Sequence, residues 1–544
     1  MSGRFVLLFA AVIAMAQQVE PVYRTGAELV QVDVVVRNDK GPVKGLTKDD
    51  FILQDKGKPQ TIAVFAMNEA GENSDAKANP LPANVGSNRI NANGEKVHGA
   101  TVILFDRINI LEGTGASSNT GGALSGLSAG AQSRASRQIL SLLASLEPNR
   151  KVGLYSLFQD ITVVRDFNED SAPLIEAAKR ALATPPKTGA TPEERAMDAK
   201  LRDAMSPGQP LDRSVRAEIT QRTFREIARR MDGVSGRKTL IWITSNFPLT
   251  YGDDTSRLTD SEAEINSVAN RLSEANIALY AIDPRGTGTG LSPGGSGGES
   301  SGGNSGTRTK QGKNMSQLDD TVTQTASNLS GPQAMESISN QTGGKSYVSV
   351  NDISVPMREA IDSADVSYTL GFYVENKALD GKKHDLNVKL AKKADLGGAK
   401  LLHRKSYMAV ASRGRADIKE LISDRLDANR IGLMAASAPA PNRPGIDAVQ
   451  VRVDLKDLQF EKRADKWSTS FDLALAIEAG GEPKVSVSPN TLNLTDEQLK
   501  QGLVGGVVID NTVPAPDKAA TLRIVVQDKG NGEAGSIRIP LPGK

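Results

Sequence analysis

Thr101-Val-Ile-Leu-Phe-Asp106, Thr239-Leu-Ile-Trp-Ile-Thr244 and Ile277-Ala-Leu-Tyr-Ala-Ile282 are three short, almost unbroken apolar runs. A strand buried on both faces reads this way, whereas a strand with one wet face alternates. Around them the spacing turns helical. Ile139, Leu142, Leu143 and Leu146 share one face and stop at Pro148, and Val215, Ile219, Ile227 and Met231 recur at multiples of four. Arg216, Arg222, Arg225, Arg229 and Arg230 fall mostly elsewhere on that second helix and read as its solvated side. Residues 152–158 and 161–164, split by Gln159-Asp160, read as a hairpin, and 345–349 and 366–373 add strands with a helix between them. Strands interleaved with helices predict an α/β fold with a doubly wound, mainly parallel sheet over residues 98–412.

Two Gly/Ser-rich stretches, 112–130 and 286–316, interrupt this pattern. Such composition buries too little apolar area to offset its ordering entropy, so both are predicted to be mobile loops. They follow the strands that end at Asp106 and Asp283, which places them at the carboxyl edge of the sheet, where open parallel sheets bind ligands.

Working outward, residues 17–67 read as a small N-terminal β unit, because Val30, Val32, Val34 and Val36 alternate before the turn residues Asn38-Asp39-Lys40-Gly41-Pro42. Residues 68–97 lack periodicity and read as a linker. Residues 413–445 read as a linker containing a helix, and 446–544 as a β-sandwich-like domain of short alternating strands such as Val449, Val451 and Val453. At the start, Arg4, the apolar residues 5–14 and Ala14-Met15-Ala16 resemble a secretory signal ending at residue 16. The apolar run is shorter than the ~20 residues needed to span a bilayer, so no transmembrane span is expected in the mature chain. The protein is therefore expected outside the cytoplasmic membrane, either periplasmic or extracellular.

Composition narrows the chemistry. The 544 residues carry 66 Lys and Arg against 64 Asp and Glu, a formal charge of +2, so no global field draws the chain to nucleic acid. Aromatic residues make up 4% of the chain, too few for a base-stacking platform. With no cysteine and three histidines, His98, His384 and His403, thiolate chemistry is excluded and imidazole chemistry has few places to occur.

Several segments in order resemble the von Willebrand factor A-related family common in Acidobacteria: Gly45-Leu-Thr-Lys-Asp-Asp-Phe51, Val102-Ile-Leu-Phe-Asp106, Arg237-Lys-Thr-Leu-Ile-Trp-Ile-Thr244, Tyr280-Ala-Ile-Asp-Pro-Arg-Gly286, Thr342-Gly-Gly-Lys345 and Tyr368-Thr-Leu-Gly-Phe-Tyr373. The resemblance implies an A-type α/β domain in an exported protein. In better-known A domains a divalent cation sits on D-x-S-x-S, a distant Thr and a later Asp. Here the first motif reads Asp106-Arg107-Ile108-Asn109-Ile110, and the later Asp position falls in Ser245-Asn246-Phe247. One carboxylate among amides and hydroxyls is a poor set for a hard cation, so no cofactor or metal is expected.

The expected function is an exported, non-enzymatic module for a protein or cell-envelope partner, with Asp106, Asn109 and Asp283 at its partner-binding edge. One alternative restores a divalent cation on Asp106, with further oxygens from Ser245 or the 188–191 region. A second is a secreted serine hydrolase using Ser128, since Gly126-Leu-Ser-Ala-Gly130 matches the nucleophile-elbow pattern, although no buried strand precedes it.

Overall fold

A computed structural model describes residues 27–69, 84–89, 98–110, 121–147, 150–167, 169–182, 191–206, 211, 213–247, 258–285, 332–348, 350–375, 378–391, 398–409, 416–463 and 465–541. The signal-like segment 1–16 and the stretch 286–316 lie outside these residues.

The centre is a six-stranded, mostly parallel sheet. Its order is Lys345–Tyr347, Ile277–Ile282, Ser235–Ile243, His98–Asp106, Val152–Leu157 and Ile161–Arg165, and only the last strand runs antiparallel. The continuous apolar runs exist because both faces are covered. Val102, Leu104, Leu240, Trp242 and Leu279 pack under helices Arg213–Met231, Leu258–Glu274 and Pro332–Thr342. Ile103, Phe105, Ile241, Ile243 and Tyr280 pack under helices Gly121–Ala144, Ala172–Leu182, Pro192–Met205 and Ser354–Asp362.

Four expectations are corrected. The insert 112–130 is helical from Gly121 onward, within Gly121–Ala144. Its apolar half is anchored at Ile139, Leu142 and Leu143, and extending a formed helix avoids the nucleation cost that Gly and Ser could not meet alone. Val366–Glu375 does not join the parallel sheet. It pairs antiparallel with Ala27–Asn38 and Val64–Glu69, so the N-terminal strands and 366–409 form one β module into which the α/β domain is inserted. Both faces of that strand are covered, which explains why its sequence resembles a parallel one. The presumed linkers also hold strands: Val85–Ser87 and Leu433–Pro439 pair with each other, and Leu433–Pro439 pairs with Ile446–Val453. Finally, the helix Arg213–Met231 does not leave its arginines in solvent, since Arg216 and Arg230 are buried and Arg229 binds carboxylates of the 416–429 segment.

The C-terminal region is antiparallel throughout. Its two sheets share one apolar core, with Val449, Val451 and Val453 facing Leu473, Leu475, Ile524 and Ile537. No helix among the described residues is long and apolar enough to cross a membrane.

Candidate binding edge

Asp106 closes the central strand at the carboxyl edge. Its side chain turns back on its own chain, Oδ1 accepting from the backbone N–H of Ile108 (3.2 Å) and of Asn109 (3.0 Å). Oδ2 accepts from Asn109 Nδ2 (2.7 Å) and from Trp242 Nε1 on the neighbouring strand (2.9 Å). The parallel register sets Trp242 opposite Leu104, two residues before Asp106, which brings the indole within reach. The ring is held edge-on by Phe224 and Phe247. Asn109 Nδ2 also donates to Thr220 Oγ1 (2.9 Å), which ties the turn to the helix Arg213–Met231. Burial pushes the Asp106 carboxyl up to about 6, against the opposing pull of its donors from Asn109, Trp242 and Thr244.

Asp283 ends the next strand but one. Its carboxylate is clasped by Arg285, through Nε (3.0 Å) and Nη2 (2.8 Å), and also accepts the Arg285 backbone N–H (3.0 Å). Arg285 Nη2 reaches the carbonyl of Ser245 (3.1 Å), and Arg134 of the helix Gly121–Ala144 donates to the carbonyls of Pro284 (3.2 Å) and Arg285 (2.7 Å). Three strand ends and a helix are thus fastened by hydrogen bonds.

Asp106, Asn109 and Asp283 sit at the predicted edge. Their exposures are 0%, 0% and 1%, so their side chains are packed inside, where they hold the turns that end the strands. Sequence reasoning missed Thr220, Arg134 and Arg285 as members of this network. Arg285 was visible in Asp283-Pro-Arg285, whereas Thr220 and Arg134 lie on remote helices whose facing depends on tertiary packing.

The cation alternative fails on its donor set. Both Asp106 oxygens already meet N–H groups, and those of Asp283 meet a guanidinium, so neither directs a free lone pair at a shared point. Of the other proposed oxygens, Thr191 is spent capping the helix Pro192–Met205, where it accepts from the Glu194 N–H, and Thr188 lies outside the described residues. Ser245 is buried with its Oγ unbonded among the described residues. The pattern behind the hydrolase alternative lacks the local context of a nucleophile elbow. Gly126–Gly130 lies inside the helix Gly121–Ala144, not at a strand-to-helix turn. His403, which burial and Lys405 push down to about 4, and His384, which meets Asp380, Asp55 and Tyr407, both belong to the β module.

No protein-family profile and no curated protein matches this sequence. Among solved structures the chain is distantly similar to the human COPII-coat protein Sec24c, with 8% identity, 62% of this chain and 46% of that chain covered, and a TM-score of 0.24. It is also similar to a von Willebrand factor type A protein from Catenulispora acidiphila, with 9% identity, 89% of this chain and 74% of that chain covered, and a TM-score of 0.23. The chain thus spans less than half of the first of these. The class defined by the fold is a mixed α/β protein with a mostly parallel central sheet and several antiparallel sheets.

Proposed function

We propose that the protein is an exported, non-catalytic interaction module whose α/β domain offers the carboxyl edge of its sheet to a protein or cell-envelope partner. The observation that carries this reading is the saturation of Asp106 and Asp283 by internal donors. A carboxylate already satisfied by its own fold is a scaffold element, neither a base nor a ligand. Recognition on this reading rests on the surface at the ends of these adjacent strands and not on a carboxylate.

Affinity capture from an envelope fraction tests this, run with calcium and magnesium or with chelator. The same partner is expected in both conditions, and it is expected to be lost when Val348, 45% exposed at the carboxyl end of the edge strand, is changed to Asp. Loss of capture in chelator overturns the reading, as does labelling by a fluorophosphonate that disappears in Ser128→Ala.

A further inference from the structure

The segment 416–429 is a strap between two domains. It opens with the helix Ile418–Ser423, whose Leu421 and Ile422 pack on Ala474, Ala476 and Val525 of the C-terminal sheet. On the other side Leu426 enters the core of the α/β domain. Backbone contacts fix the seat: Gly233 N donates to Asn429 Oδ1 (2.8 Å), and a Cβ at Gly233 would lie 2.2 Å from the Asn429 carbonyl oxygen.

Charge is concentrated where the strap crosses. From the helix Arg213–Met231, Arg229 Nη2 binds both Asp424 (2.9 Å) and Glu420 (3.2 Å), and Arg225 Nε binds Glu420 (3.0 Å). Glu226 of the same helix accepts the backbone N–H groups of Arg425 (2.9 Å) and Leu426 (3.2 Å), with Arg222 beside it at 3.8 Å. Arg222 and Arg425 share Asp160. From the C-terminal sheet, Arg523 pairs with Asp427 and donates to the carbonyls of Leu421 and Leu426, while Arg538 binds Glu478 and the Asp424 carbonyl. Asp424 and Glu226 are nearly dry, at 3% and 2% side-chain exposure, and Glu420 is the third carboxylate of the group.

Asp424 thus faces Arg229 and Glu226 from the α/β domain, Glu420 from its own helix and Arg523 from the C-terminal sheet. Arg229 is shared between Asp424 and Glu420, and the buried carboxylates Asp424 and Glu226 repel each other, a repulsion that a proton on Asp424 relieves. We propose that docking of the strap between the α/β and C-terminal domains is proton-coupled through Asp424, so that the two domains grip more firmly as the solution acidifies from alkaline to mildly acidic pH. Burial, with Glu226 and Glu420 adding to it and Arg229 and Arg523 opposing it, pushes the docked Asp424 carboxyl from 3.8 up to about 7. The undocked strap, with its carboxyl in water, has the ordinary value. The docked state then binds a proton that the open state releases. Docking is fully favoured below about pH 4 and loses that advantage as pH rises through about 7.

Hydrogen exchange of the full chain reads this directly. Between pH 8 and pH 6 the protection of the strap amides, corrected for intrinsic exchange, is expected to rise about tenfold, the linkage expected for one proton. In Asp424→Asn that rise is expected to vanish from the strap amides. In Glu226→Gln, which removes the like charge and keeps an acceptor for Arg425 and Leu426, its midpoint is expected to move to lower pH. Amides of the central strand Ser235–Ile243 serve as the internal control for global stability. An equal rise in the wild type and in Asp424→Asn overturns the proposal, as does flat protection in the wild type. If Asp424→Asn does not fold, an unmoved midpoint in Glu226→Gln is sufficient to overturn it.

Discussion

Replacing Asp106 separates a scaffold carboxylate from a cation ligand. Asp106→Ala leaves four N–H donors without an acceptor in a site of 0% exposure. An unsatisfied buried donor costs about 1–3 kcal/mol, and relaxation recovers part of the sum, so a loss of roughly 3–5 kcal/mol is expected. Asp106→Asn keeps the shape and removes the titration, and it also turns one acceptor oxygen into an NH2 that faces N–H donors, a penalty that does not change with pH. Because burial lifts the native carboxyl from 3.8 to about 6, its contribution to stability is full below about pH 4 and is lost as pH rises through 6. For that shift the wild type loses roughly 1.4 kcal/mol between pH 5 and pH 8 that Asp106→Asn does not lose. The penalty of Asp106→Asn is therefore expected to shrink with rising pH. Urea unfolding in a Trp467→Phe background reports it, since Trp242 and Trp467 are the only tryptophans and Trp242 touches the carboxylate. A penalty that grows with pH shows an anion held by positive charge. If calcium or magnesium also raises the wild-type midpoint but not that of Asp106→Asn, the cation reading is restored.

Two further outcomes test the packing that positions this edge. Asp33 of the N-terminal strand is buried and binds Asn276 Nδ2 (2.5 Å) and Thr369 Oγ1 (2.6 Å), with Arg237, Lys238 and Arg404 near enough to lower a carboxyl that burial raises. Asp33→Ala is expected to cost about 3–5 kcal/mol in urea, because it strips a buried counter-charge from three cations; a loss below 1 kcal/mol contradicts that. Gly344 passes so close to the strand Ile277–Ile282 that a Cβ would lie 1.9 Å from the Leu279 carbonyl oxygen. Gly344→Ala is expected to lower stability by about 3 kcal/mol or more, while Gly481→Ala, with open space at its Cβ, leaves the melting temperature unchanged.

The parallel sheet was legible because burial on both faces writes itself into a few consecutive residues, as in 101–105 and 277–282. Pairing partners are not written that way. Val366 meets Glu69 across nearly the whole α/β domain, and nothing in either segment names the other, so the insertion of that domain into a β module was missed. The same limit hid Val85–Ser87, a strand of three residues without alternation. At the edge, the location of Asp106 and Asp283 followed from strand order, but their burial did not, since it depends on an indole from the adjacent strand and on Arg285 folding back. The arginines of Arg213–Met231 misled for a related reason. Helical phase separates them from the apolar stripe, yet phase alone does not distinguish water from a strap of carboxylates.

That helix links the two parts of the molecule that matter most here. Thr220 near its middle holds Asn109, and Arg229 near its end holds Asp424, so about 13 Å of α-helix joins the turn at the sheet edge to the strap. A helix packed along its length moves as a body or not at all, because Phe224, Ile227, Ala228 and Met231 interdigitate with Trp242 and Leu240 of the sheet. Proton uptake at Asp424 can therefore reach Asn109 only by displacing these side chains together. Nothing in their packing at 0–2% exposure provides a second arrangement to move into. The strap is accordingly expected to change how firmly the C-terminal domain is held without reshaping the edge. On this argument Asp424→Asn alters hydrogen exchange at 418–429 and leaves partner affinity at the edge unchanged.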